Sequence, residues 1–418
     1  MTGFQRKQSD MWQDELDSII DSRFGEMVEM RRHLHKNPEV SGEEFQTSLL
    51  LFRQLDKSGF HVQWGFEGRG LIADLDPPTS GDAKDLFAIR ADIDALRIQD
   101  EKDVPYRSCK KGVMHACGHD AHTTIGLAAV SAIGELHRKG KLSFQPRLRG
   151  IFQPAEEICE GAAQMIQQGA LRGVAAIIAT HMDPSRRVGR IGIRPGVLTA
   201  NCDHMLIEIH GRGGHAARPH EARDPISAAA QLIQWLYLQI PRVTDSQDAV
   251  VCTIGQIEGG HTANVIPETV HLQGTLRTLD HSVRERTMKH IERLANSVAE
   301  GTGTKISVEY GVGANAVEND PQLVDLITSA ADRVLGDDSV EEIERPSMGS
   351  EDFAFYCKHV PAAMFRLGCT SDKIGGSPLH TPTFDIDEES LKIGAKIIAH
   401  SALTWMEKSA KTATDKTT

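Results

Sequence analysis

Three of the chain's 19 histidines and one of its seven cysteines fall within eight residues, His115-Ala116-Cys117-Gly118-His119-Asp120-Ala121-His122. A thiolate and an imidazole two residues apart converge on one cation when the loop between them is extended, and both are common ligands of borderline-soft divalent metals. The plainer reading is a polar loop with solvated histidines, Asp120 or Thr123 capping the helix that follows. A second cluster, Phe152-Gln153-Pro154-Ala155-Glu156-Glu157, ends a short apolar run. Adjacent carboxylates are ordinarily a solvated pair. At the carboxyl end of a buried strand, however, one can bind a metal while its neighbour acts as a base on water. His181 follows the apolar stretch 175–180, and His380 sits in the proline-bracketed Pro378-Leu379-His380-Thr381-Pro382. Cys117, His119, Glu157, His181 and His380 make five potential ligands, and Glu156 is left over as a base.

Such residues need a frame, and hydrophobic periodicity outlines one. Apolar positions recur at helical spacing over 19–34, and Asn37-Pro38 stops that helix. Segments 87–91, 148–152 and 175–180 read as buried strands, with helical patterns at 123–137 and 161–168. Strands alternating with helices predict an α/β layer with a substantially parallel sheet, whose ligands collect at strand carboxyl ends. From Ile191 the order becomes strand 204–210, helix 225–240, strands 249–257 and 270–276, helix 283–298 and strand 305–310. That β-α-β-β-α-β order is ferredoxin-like. The α/β pattern resumes at 323–335, 363–367 and 388–405, so residues 1–190 and 312–418 are expected to form one discontinuous domain and 191–311 an inserted α+β domain. The polar stretch 408–418 reads as a frayed tail.

Composition narrows the function classes. The 418 residues carry 46 Lys and Arg against 58 Asp and Glu, a net charge of −12, and only 5% are aromatic. This excludes a nucleic-acid binder driven by phosphate neutralisation and base stacking. Apolar residues at 40% and charged residues at 25% describe an ordinary globular protein. No apolar run approaches the roughly 20 residues of a membrane span, and no secretory h-region is visible, which points to the cytoplasm. The cysteines at 109, 117, 159, 202, 252, 357 and 369 lack framework spacing and fit reduced thiols. Gly211-Arg212-Gly213-Gly214 matches neither a dinucleotide fingerprint nor a P-loop and reads as a turn presenting His215. Arg277, taken alone, is an exposed strand residue.

Several motifs, taken together, resemble those of peptidase family M20, the dinuclear metallopeptidases that include the aminoacylases. They are 90–96 (Arg-Ala-Asp-Ile-Asp-Ala-Leu), 115–122, 152–157, 211–220, 262–268 and 348–353. More narrowly they are similar to its amidohydrolase branch, the N-acyl-amino-acid, hippurate and auxin-conjugate hydrolases. The motifs keep family order over nearly the whole chain. The resemblance implies a mixed, largely parallel α/β metallopeptidase domain with an inserted ferredoxin-like dimerisation (lid) domain, and a homodimer. It further implies two divalent ions per subunit, Mn²⁺ or Zn²⁺ with Co²⁺ or Ni²⁺ as further options, held by Cys117, His119, Glu157, His181 and His380. Glu156 would be general base and acid, and Asp92 would stand behind the ligands. His215 would reach into the partner subunit's site, and Asn264 and Arg277 would meet on the substrate's carboxylate. The implied reaction splits an N-acyl amino acid into a carboxylic acid and an amino acid. The wider family has a metal-binding His-x-Asp where this chain has Arg90-Ala91-Asp92, an absence the resemblance to the Cys-containing branch implies, and one departure is visible: Arg97 replaces a usual proline.

Rival readings are a dipeptidase or aminopeptidase on the same scaffold, a thiol hydrolase and a non-catalytic binding relative. In the thiol hydrolase Cys117 would be the nucleophile and His119 or His115 the base, which leaves Glu156, Glu157, His181 and His380 unexplained. Against a non-catalytic relative stands the presence of every expected catalytic position.

Overall fold

A computed structural model describes residues 11–76, 85–311 and 313–415. Leu86–Asp92, buried at all seven positions, lies inside an eight-stranded sheet. A strand covered on both faces has no solvent side to alternate toward, so Leu86-Phe87-Ala88-Ile89 is continuously apolar. In spatial order the strands are His61–Trp64, Leu71–Asp74, Leu148–Gln153, Leu86–Asp92, Val174–Arg187, Ala362–Thr370, Ile191–Ile193 and Val340–Glu342. The four central ones are parallel, and antiparallel pairs lie toward the edges. Asp92 pairs with Gln153 and Arg90 with Ala179, so Asp92, the strand end that leads into the glutamate pair, and His181 lie at one level across the sheet. The helices Met11–Ser22, His119–Arg138 and Glu389–Asp415 contribute Leu16, Ile133 and Ile398 to one core with Phe87 and Ile89.

Three expected boundaries move. The 19–34 helix is two, Met11–Ser22 and Phe24–Lys36, because Arg23 leaves helical geometry (φ −98, ψ 5) and the Ser22 hydroxyl donates to Ile19 O at 2.8 Å. Val174–Arg187 runs past Thr180 because its ladder with Ala362–Thr370 continues to Arg187, which puts His181 inside the strand. The expected tail is helical to Asp415, and Lys411 pairs with Glu407 one turn back. The last three residues of that tail lie outside the described residues.

The chain packs as two units. The first holds the large sheet and comprises the chain up to Gly196, Glu318–Glu344 and the chain from Phe355. The second comprises Val197–Val317 and Arg345–Ala354. Its antiparallel strands run in the order Val250–Gly259, Thr269–Thr278, Asn201–His210, Lys305–Tyr310, the ferredoxin-like arrangement. Met205, Ile207 and Ile209 point into a core with Leu232 and Leu236 of helix Pro225–Val243 and Ile291 and Val298 of helix His281–Thr302. Asp224 and Asp280 cap those helices by accepting first-turn N–H groups. The Arg345–Ala354 segment joins this unit through the Thr199–Ser347 bridge and the Ala200 N–H on Gly349 O. Among the described residues no helix is long and apolar enough to cross a membrane.

Two buried features of the first unit set the loop around Cys117. Arg31 is fully enclosed and donates to Asp120 at 2.9 Å and Asp385 at 2.7 Å, tying helix Phe24–Lys36 to the start of helix His119–Arg138 and to the segment beyond His380. Burial opposes the charge on Asp120, yet Arg31 and then His35 hold its carboxyl far below the ordinary range. Gly118, left-handed at φ +88, precedes the helix where an added Cβ would stand 2.8 Å from Met182 Cγ. Arg31→Met removes the guanidinium shared by two buried carboxylates, leaving Asp120 with His35 and Asp385 with Tyr106, and is expected to cost about 3–5 kcal/mol in urea denaturation. Arg97→Ala, from an exposed pair with Glu43, should leave the midpoint unchanged. Gly118→Ala should cost about 2 kcal/mol or more from combined strain and overlap. Gly68→Ala, at φ +81 with nothing within 4 Å, should cost only about 1 kcal/mol. Equal losses at the two glycines would contradict the assigned role of Gly118.

Candidate metal centre

At that level of the large sheet the sequence clusters meet. Cys117 Sγ lies 3.5 Å from His181 Nε2 and 3.3 Å from His380 Nε2. Donor atoms of Cys117, His119 and His181 lie within 4.8 Å of one another, as do those of Cys117, Glu157 and His380 and those of His119, Glu156 and Glu157. Cys117 is common to the first two groups, and His119 connects the first to the paired glutamates. His380 comes from far along the chain, and its N–H donates to Ala116 O at 2.8 Å, fixing it beside Cys117. Ala155, Cys159 and His380 have φ of +54, +56 and +60 without being glycine. Each costs about 1–2 kcal/mol and persists only where the surroundings over-determine it.

The residues behind these groups are less visible in sequence. Asp94 carries no signal of its own there, yet it organises both clusters. Its Oδ1 and carbonyl face His119 Nδ1 at 3.1 and 3.0 Å, while its Oδ2 accepts the Glu157 N–H at 3.1 Å and the Ser41 hydroxyl at 2.7 Å. With Nδ1 so engaged, His119 Nε2 faces Cys117 and the glutamates. His181 Nδ1 is likewise 2.8 Å from Met182 O, which directs its Nε2 to Cys117. A ligand histidine held through its other nitrogen by a carboxylate or carbonyl is the usual support of a metal site. His122 differs from its neighbours. The Met182 N–H donates to its Nε2 at 2.8 Å, so Nδ1 carries the proton that goes to Asp92 Oδ1 at 2.7 Å. Both nitrogens are committed, making His122 a brace. Asp92 itself is fully buried and takes Arg90 Nη1 at 2.6 Å on its other oxygen.

The donor set fits a divalent cation. His119 Nε2 and Glu157 Oε1 are buried and lack hydrogen-bond partners among the described residues, a costly arrangement unless a further group completes them. One sulfur, imidazole nitrogens and carboxylate oxygens together suit a borderline-soft ion. Thiol chemistry fits poorly. Burial pushes the Cys117 thiol up to about 12, which leaves almost no nucleophilic thiolate at neutral pH.

The other expected residues lie in the second unit. His215 is exposed in the two-residue strand Gly214–His215, paired with Val265–Ile266. The Ala217 N–H donates to its Nδ1 at 3.0 Å, which leaves Nε2–H free to act as a donor. The Ala216 N–H donates to Asn264 O at 3.1 Å, so His215 and Asn264 belong to one loop cluster. Arg277 is elsewhere. It lies inside Thr269–Thr278, which extends past Leu276 because the ladder with Val250–Gly259 and Asn201–His210 continues, and its Nη1 donates to Met348 O at 2.9 Å. Thr269 and Arg277 sit at opposite ends of this strand, about 27 Å apart at the usual rise. Asn264 precedes the Thr269 end, so within one chain it cannot meet Arg277 on a single carboxylate, contrary to expectation.

The profile of Peptidase family M20/M25/M40 matches residues 88–404. The N-acetyl-L-cysteine deacetylase of Bacillus subtilis is 36% identical over 90% of this chain and 87% of its own length. The hippurate hydrolase of Campylobacter jejuni is 31% identical over 94% of this chain and 99% of its own. A Bacillus subtilis structure described as a dinuclear metal binding peptidase of the M20 family superposes with a TM-score of 0.77 at 30% identity, covering 93% of this chain and 99% of that one. With a profile spanning most of the sequence and relatives of this identity along nearly all of it, the chain belongs to peptidase family M20/M25/M40.

Proposed function

We propose that this chain is a metal-dependent amidohydrolase that cleaves the amide bond of an N-acyl amino acid, releasing a carboxylic acid and the free amino acid. The observation that carries the reading is the convergence of Cys117, His119, Glu157, His181 and His380 around shared donor positions with Glu156 directly beside them. The deacetylase and hippurate hydrolase relatives support the substrate class. Those five side chains would hold two divalent ions, Mn²⁺ or Zn²⁺. When bound, the ions polarise the scissile carbonyl and lower the pKa of a water toward neutrality.

Glu156 takes the proton from the attacking water and later delivers it to the leaving amine nitrogen. His215 offers Nε2–H to the oxygen on which negative charge develops. Arg277, with Nη1 on Met348 O, keeps Nε and Nη2 for the two oxygens of the substrate carboxylate. The separation of the His215–Asn264 cluster from Arg277 supports a homodimer in which His215 and Asn264 serve a second copy. Exposed Trp235, Tyr237 and Leu238, together with Val251 and Ile257 on the edge strand Val250–Gly259, supply an apolar surface for that association. The seven cysteines, scattered and without framework spacing, support the cytoplasm as its location.

Glu156→Gln should retain bound metal and lose about 10² to 10⁴ in kcat, whereas Glu157→Gln should lose metal, both measured by elemental analysis beside kinetics. A fully active, metal-replete Glu156→Gln would overturn the role of this base. Mixing Glu156→Gln with His215→Ala should restore part of the activity, because one site of a mixed dimer is intact. No recovery after demonstrated subunit exchange would mean that each site is completed by its own chain.

A further inference from the structure

We propose that Glu44 is a positioning residue for Glu156: its carboxyl group holds the N–H of Ala155 and thereby fixes the strained turn from which Glu156 and Glu157 project. The inference rests on Glu156 being the general base. Glu44 and Glu43 are neighbours with opposite surroundings. Glu43 is exposed and pairs with Arg97 at 3.4 Å, whereas Glu44 is fully buried.

Glu44 occupies the N-cap position of helix Phe45–Lys57, where a side chain normally accepts the first free N–H groups, yet it makes no capping bond. Glu39 does that work instead, accepting the N–H of Gln46 at 3.2 Å and of Thr47 at 2.7 Å. The Glu44 carboxyl is thus released to a different element, and its Oε1 accepts the Ala155 N–H at 2.8 Å. Ala155 needs such a hold, since at φ +54 it has no glycine's freedom. On its other side the Ala155 carbonyl accepts the Gly161 N–H at 3.1 Å. Gly161 is required there, because an added Cβ would overlap Pro154 O at 1.6 Å. The two flanking peptide groups of Ala155 are therefore clamped, one by a buried side chain and one by a residue that must be glycine.

The bond from Ala155 needs an acceptor oxygen and no charge. Burial, and then the neighbouring Asp94, push the Glu44 carboxyl up to about 7, and in either protonation state one oxygen can accept the N–H. A neutral amide of the same length should therefore serve, and a side chain without an acceptor should not.

The test compares Glu44→Gln and Glu44→Ala with wild type. It measures hydrogen exchange of peptides covering 153–161 in the metal-free protein, together with kcat, KM and metal content of the metal-saturated protein. In Glu44→Ala the turn should exchange at least about tenfold faster. Its kcat should fall about 10- to 100-fold, while KM and metal content at saturation stay within about twofold, because the base is misplaced and not removed. Glu44→Gln should restore exchange and kcat to near wild type. If the alanine variant does not fold, Glu44→Asp, which keeps the carboxylate but shortens its reach, should show the same losses in smaller measure. Wild-type exchange and kcat in the alanine or aspartate variant, or a glutamine variant as impaired as alanine, would overturn the proposal. Glu156→Gln assayed in parallel keeps the two questions apart. An active Glu156→Gln would refute the base itself, whereas the exchange result reports on the turn alone.

Discussion

The Asp94 carboxylate is the contact on which the rest of the site depends. Four hydrogen-bond contacts from three separate parts of the chain meet on this residue: its Oδ1 and carbonyl O both face His119 Nδ1 on a helix, and its Oδ2 accepts the Glu157 N–H on a strand-following turn and the Ser41 hydroxyl on the segment before another helix. Burial alone would raise its pKa, yet these donors, His119 foremost, hold it ionised. An ionised acceptor away from water makes each such bond worth more than a neutral one and makes the loss of any donor expensive. One carboxylate thereby fixes both the ring orientation of His119 and the backbone that carries Glu157. Neither the Cys-His cluster nor the glutamate pair could be set to the precision of a ligand site by its own loop.

The same logic recurs around it. His122 joins Asp92 to the backbone of Met182, the residue next to His181, and its ring lies 4.9 Å from that of His181. Arg31 joins Asp120 to Asp385 on the far side of the Cys117 loop. Left-handed Ala155, Cys159 and His380 add backbone strain at the same place. Buried charges and strained dihedrals are both unfavourable taken singly, and the large apolar core of the first unit offsets them. What they provide is position, which a catalytic base and a set of ligands need more than stability.

Much of this was legible in sequence, and the divisions follow from physics. Cys117, His119, Glu156, Glu157, His181 and His380 stood out because reactive side chains crowded into short segments or at strand ends announce themselves without a structure. The parallel centre of the large sheet and the ferredoxin-like order followed from uninterrupted apolar runs and from period-two alternation. Asp94, Glu44 and the bracing role of His122 were not legible, since each is defined by partners on elements distant in sequence. His122 shares its segment with the ligands and differs only in where its two nitrogens are spent. The strain at Ala155 left no trace because the usual sign of a left-handed position is glycine. Strand length misled in placing His181 after its strand. Ladder pairing, and not local propensity, decides where a strand stops.

In the proposed site Cys117 would be a metal-bound thiolate rather than a free thiol. X-ray absorption fine structure on protein loaded with Zn²⁺ addresses it directly, alongside ion counting. Such a site predicts two ions per chain and a sulfur scatterer at about 2.3 Å. A shell of nitrogen and oxygen alone, or saturation at one ion per chain, would contradict it.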